Sequence, residues 1–89
     1  MSTYSFHEAS VTSQIVTFTD LGIDGIETVV PVANIAAIQR HDPTYSIVVW
    51  LTGGHCLRFV QADNDYTALN EPFDAVCMAL KRKETHDTL

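Results

Sequence analysis

The sequence predicts an α+β domain. Its antiparallel β-sheet has about four to five strands, as a meander or a small roll, packed by one C-terminal α-helix. Three observations carry that prediction. Apolar, β-branched runs recur between Ile15 and Val60. Turn-forming residues separate them, most clearly Gly53-Gly54. Near the end, Phe73, Val76, Cys77 and Leu80 fall at i, i+3, i+4 and i+7, one apolar stripe of a helix. A chain of 89 residues has room for one core. The expectation is therefore a single domain over 1–89, with 1–10 and 85–89 loose. A domain of this size buries roughly 60–65% of the surface its unfolded chain exposes, so its stability is thin.

The elements follow from the start of the chain. Met1 to Ser10 is polar and mixed, a loose arm or a short edge strand. Ser13 to Asp20 is β-branched and roughly alternating, which predicts a strand. Leu21 to Gly25 holds Gly22 and Asp24-Gly25, and Asp-Gly favours a turn because glycine accepts positive φ without steric cost. Ile26 to Val32 predicts a strand that is short or at an edge, since Pro31 cannot donate to a ladder. Asn34 to Gln39 fits a helical turn or a strand, and a strand from about Ala36 to His41 is favoured. His41 to Thr44 is a loop, because Pro43 pushes Asp42 out of the helical region.

The hairpin comes next, with Tyr45 to Thr52, a turn at Gly53-Gly54, and His55 to Gln61. A two-residue turn would set Leu51 opposite Cys56, Trp50 opposite Leu57, Val49 opposite Arg58 and Val48 opposite Phe59. Asp63-Asn64-Asp65 is a polar break. A helix is expected over about Glu71 to Glu84, with Asn70 as N-cap and Pro72 in the first turn. Glu71 and Asp74 suit its positive end, and Lys81, Arg82 and Lys83 its negative end.

Side chains alternate across a strand, so each hairpin face can be read out. One carries Val48, Trp50, Leu57 and Phe59. The other carries Tyr45, Ile47, Val49, Leu51, Cys56 and Val60, interrupted by Arg58. Neither is a solvent face, and one helix stripe covers only one of them. The second is covered by the rest of the chain, in a roll or under the N-terminal segment, or it is a dimer or partner surface. Trp50 with Phe59 makes the better core. The expected partner-binding residues are therefore Tyr45, Ile47, Val49, Arg58 and Val60.

Charge limits the function further. The net charge is -6, and Met1 to Leu80 holds 2 basic and 9 acidic residues. Phosphate backbones are bound by Lys and Arg, so direct nucleic-acid binding is not expected. Glu27, Asp42, Asp63 and Asp65 form an expected acidic surface suited to a basic protein. No charged start and apolar run marks a signal peptide, and no apolar stretch approaches the roughly 20 residues of a membrane span. The chain reads as cytoplasmic, with Cys56 and Cys77 reduced. The alternative is one Cys56–Cys77 bridge.

Catalytic and metal chemistry finds little support. His55 and Cys56 are adjacent and would point to opposite faces of a strand, and no C-x-x-C or H-x-x-x-H spacing occurs. Asp63, Asp65 and Thr67 echo the start of a calcium loop, but Ala68 stands where that loop needs glycine. Cys77 lies on the apolar stripe, where cysteine is usually an inert hydrophobe. No cofactor, no metal and no catalytic residue is expected.

The order Val-Pro-Val-Ala-Asn-Ile, then Ile-Val-Val-Trp-Leu-Thr-Gly-Gly-His-Cys-Leu-Arg-Phe, then an acid-rich helix start, covers Val30 to Val76. In layout and hydrophobic pattern it resembles the small FlbD-like flagellar proteins of bacteria. It also resembles the later half of a bacterial pleckstrin-homology-like domain. Both resemblances imply a non-enzymatic binding module. The residues themselves favour the same function: a small interaction module that binds a protein partner or itself through an apolar hairpin face. The alternative is a small acidic inhibitor, of the kind bacteriophages use against host defence or nucleic-acid enzymes, acting through its negative surface. A small-ligand binder or enzyme with His55 and Cys56 near its site is the third reading.

Overall fold

The computed structural model describes residues 1–22 and 25–87. Its strands are β1 (Ser2–Phe6), β2 (Glu8–Val11), β3 (Ile15–Thr19), β4 (Glu27–Pro31), β5 (Ile35–His41), β6 (Ser46–Leu51) and β7 (Cys56–Gln61), and a helix, α1 (Thr67–Asp87), follows. The class is α+β as expected, but seven strands form two sheets in place of one sheet of four to five. One sheet has the order β1-β7-β6-β5 and the other β2-β3-β4. All pairings are antiparallel except β1 with β7, which is parallel.

Of the two expectations for Met1 to Ser10, a loose arm or an edge strand, the strand forms. Tyr4 and Phe6 alternate with polar residues, and both side chains go inward. The strand breaks at His7, so β1 joins the four-stranded sheet and β2 the other. The expected strand from Ile26 is β4, an edge strand ending at Pro31. Of residues 34–39, Asn34 closes a short 3-10 turn over Val32–Asn34 and Ile35 to Gln39 are extended in β5. Ile23 and Asp24, in the expected turn before Gly25, lie outside the described residues.

The helix begins earlier than expected. The Asp65 carboxylate accepts the Thr67 N–H at 2.9 Å and its hydroxyl at 2.6 Å, a cap that starts the helix before Asn70 is reached. Asn70 is therefore helical, and its side-chain oxygen accepts from Arg40 Nη1. Pro72 lies inside the helix and is buried, packed rather than placed in the first turn. The expected stripe holds and extends: Leu69 and Val76 are buried, with Phe73 and Leu80 packed against the core. The helix is assigned through Asp87, and Thr88 and Leu89, the end of the expected loose tail, lie outside the described residues.

The core lies between the two sheets and the helix. Phe59 from β7 is stacked on Phe18 from β3, with ring centroids 3.8 Å apart and planes 7° apart. Tyr4 stacks on Phe59 at 5.8 Å, and Phe6 meets Phe18 edge-on at 5.1 Å. Val16 and Val30 from the small sheet join Ile47 and Val49 from β6, and the helix adds Leu69 and Val76. Each aromatic buries about 150–250 Å², a large share of what a core this small can hold. The inner face of the four-stranded sheet is thus shared by the helix and the second sheet.

Gln61 fixes the chain between β7 and α1. It is buried yet well paired: its amide donates to the His7 carbonyl at 3.1 Å, and its side-chain oxygen accepts the Asp63 and Asp65 N–H groups at 2.7 and 2.9 Å. A buried polar side chain is tolerated when its groups are paired.

Candidate protein-docking face

The hairpin forms, but its register differs from the expected one by one residue. Ile47 faces Phe59, Val49 faces Leu57, Val48 faces Arg58 and Trp50 faces Cys56. The cause is the loop. Gly54 N–H donates to the Leu51 carbonyl at 2.9 Å, and Leu51 N–H donates to the His55 carbonyl at 2.8 Å. Thr52, Gly53 and Gly54 therefore form a three-residue loop, and only Gly54 takes positive φ, at 92°. One residue more in the loop moves Phe59 and Leu57 to the face of Ile47 and Val49.

This corrects the expected docking residues. Ile47 and Val49 are 0% and 1% exposed and point into the core. They cannot share an accessible surface with Arg58 and Val60, which alternate onto the other face of the sheet. Tyr45 is half-buried in the turn just before β6, in a left-handed conformation with φ 52°. Its ring stacks on the exposed Tyr66 at 4.5 Å. The Tyr66 phenol is pushed above its usual value by hydrogen bonding with Tyr45, then by loss of water and by electrostatic interaction with Tyr45 and the Asp42 carboxylate.

The outer face is an orderly grid across four strands. One row runs Thr3, Arg58, Val48 and Gln39. The row beside it runs Ser5, Val60, Ser46 and His41. Toward the hairpin tip, Cys56, Trp50 and Ala37 form the third. Val48 is buried but is not part of the core cluster, since it lies on the opposite face of the sheet from Ile47 and Val49. Trp50 is 39% exposed, and its indole N–H reaches the Gln39 side-chain oxygen only at 3.4 Å. No Asp or Glu lies in these rows, although the chain carries 11. An open cleft of about 510 Å³ adjoins Trp50 and includes Met1, His55 and Leu57.

The four expected acidic residues do not form one surface around that face. Glu27 is exposed at the start of β4, opposite Thr19 in the small sheet. Asp42 is exposed beside Arg40, with Oδ1 at 2.5 Å from Nε. Asp63 and Asp65 lie in the loop before the helix, and Asp65 is held below its usual value by the Thr67 hydroxyl and N–H. Asp42, through Tyr66, is the one placed beside that loop.

Cys56 and Cys77 are both unbridged. Burial raises the Cys77 thiol above its usual value. Among the described residues no helix is long and apolar enough to cross a membrane. A second cleft, of about 630 Å³, separates the C-terminal part of α1 from the end of the small sheet.

No protein-family model matches the chain, and no curated protein or solved structure is significantly similar to it. The layout likeness to flagellar and pleckstrin-homology-like proteins gains no support from these comparisons.

Proposed function

We propose that this protein is a small, non-enzymatic interaction module that docks a protein partner on the outer face of its four-stranded sheet, centred on Trp50. One observation carries the reading. The inner face is occupied by the helix and the second sheet, whereas the outer face is open except at Val48 and Ser46, has no acidic residue in its strand rows and presents a tryptophan. Interface cores are depleted of charge and enriched in aromatics, and tryptophan is among the residues that most often anchor binding. A cytoplasmic setting with reduced thiols remains part of this reading.

A second reading rests on the exposed Tyr66, its stack on Tyr45, and the nearby Asp42, Asp63 and Asp65. These would meet a basic surface, as an acidic inhibitor does. Salt weakens such contacts, since exposed charges beyond about 8 Å are largely screened at physiological ionic strength.

Affinity capture from the source organism separates the two. Wild type, Trp50→Lys and a triple Asp42→Asn, Asp63→Asn, Asp65→Asn variant are compared. A partner lost by Trp50→Lys and kept by the triple variant supports the docking face. The reverse pattern supports the acidic surface. A partner that both variants retain sinks both readings.

A further inference from the structure

We infer that the outer face receives a segment of a different protein, one that presents a carboxylate among apolar side chains, with Arg58 as the receiving group. The inference rests on the docking-face reading and specifies its partner. Arg58 sits in mid-face between Thr3 and Val48. Among the described residues it makes no hydrogen bond and no ion pair, and its Nε is closed off from water without an acceptor. Arg40, by contrast, is held by Asp42 and Asn70.

A buried donor without an acceptor is unfavourable, and a carboxylate matches a guanidinium with two parallel hydrogen bonds. A carboxylate arriving from outside can meet the Nη groups end-on, or draw the side chain up so that Nε takes part. Trp50 and Val60 flank the spot with apolar surface. A basic segment would bring like charge to Arg58.

A second copy of this chain fits poorly. The strand rows of its matching face offer no carboxylate, and Asp20, at the Ser5 edge, is already held by Ser5, Gly22 and His7, so a face-to-face pair would leave both arginines unmet. Four strands about 4.8 Å apart and about five residues long give a plan area of roughly 300 Å². A standard interface takes about 800 Å² from each partner. The face is sized for a segment laid across it. The net charge of -6 repels an acidic partner at a distance, but at physiological salt that field decays within about 8 Å and the local guanidinium decides.

The test is a phage-displayed library of random 12-residue peptides, selected on the full chain. Enriched peptides are expected to carry Asp or Glu beside apolar residues, and synthetic copies to shift the emission of Trp50, the one tryptophan. Replacing the peptide carboxylate by its amide, or Arg58→Gln in the protein, should weaken binding at least tenfold. Arg58→Glu should turn the selection toward Lys and Arg. Circular dichroism establishes that each variant is folded, and Arg58→Gln alone suffices if Arg58→Glu is not. Peptides without acids, bound equally well by Arg58→Gln, overturn this inference and leave the docking face standing. A dimer in sedimentation that Trp50→Lys splits overturns it in favour of a second copy. A library that yields no peptide able to move Trp50 emission overturns both.

Discussion

The Leu51 N–H donates to the His55 carbonyl across 2.8 Å and closes the hairpin around Thr52, Gly53 and Gly54. The two glycines consequently have different duties. Gly54 has φ of 92°, a conformation that L side chains rarely adopt, whereas Gly53 does not need it. A Cβ on Gly54 would meet nothing within 4 Å, and one on Gly53 would make only ordinary contact with His55 at 3.8 Å.

Gly54→Ala is predicted to cost about 1–2 kcal/mol through backbone strain alone. Gly53→Ala should stay within roughly 0.5 kcal/mol of wild type, as surface changes usually do. Urea unfolding followed by Trp50 emission measures both. Equal losses at the two glycines would indicate the two-residue turn in their place.

Phe59 is held between Phe18 and Tyr4, so truncating it removes two aromatic contacts and opens a cavity. Phe59→Ala is predicted to cost about 3–5 kcal/mol. A domain this size has a total stability of roughly 4–13 kcal/mol, so the variant keeps a fraction of it at most. Thermal unfolding by circular dichroism reads the loss. A change under 1 kcal/mol would contradict the packing.

Gln61→Leu keeps the volume but removes three hydrogen bonds, stranding the His7 carbonyl and the Asp63 and Asp65 N–H groups. The expected cost is about 2–3 kcal/mol, less than three fully buried losses, because the loop can turn partly to water. Gln61→Glu keeps the acceptor and should lose less. Hydrogen exchange at Asp63 and Asp65 should quicken in Gln61→Leu; unchanged exchange would contradict the assigned role.

Asp20 ties β1 to the end of β3. It accepts from the Ser5 hydroxyl at 2.7 Å and the Gly22 N–H at 2.8 Å, with His7 beside it. The Ser5 bond, then the Gly22 bond, holds its carboxyl below the usual 3.8. A depressed folded value contributes stability that is complete above the unfolded value. It is lost as pH falls from 3.8 through the folded one. Asp65 acts in the same direction. Acid unfolding of Asp20→Asn should therefore be shallower below pH 3.8 than that of wild type. Superimposable acid limbs would remove Asp20 from this role.

The hairpin and the apolar helix stripe were legible because each is local: turn residues between apolar runs, and a period near 3.6. The register was not. Thr-Gly-Gly-His closes equally well as a two- or a three-residue loop, and the difference of one residue exchanges the faces. That is why Trp50 read as core and Ile47 and Val49 as surface. The helix start was masked because Asn70-Pro72 is a good local signal, while the cap that forms lies earlier, at Asp65. Tyr4 and Phe6 did alternate with polar residues, but their partner strand lies more than fifty residues away, and nothing local announces a parallel pairing. The sites inherit the same limits. Arg58 and Val60 were placed on an accessible face, but their neighbours Trp50 and Val48 depend on the register.

The parallel seam between β1 and β7 also orders events during synthesis. Ser2 pairs opposite Leu57, and Phe6 opposite Gln61, so the first strand has no ladder partner until the last has left the ribosome. At about 5–20 residues per second, that is a wait of about 3–10 s before Phe59 can cover Tyr4. The four-stranded sheet is therefore complete only once its last-made strand, β7, is in place between β1 and β6.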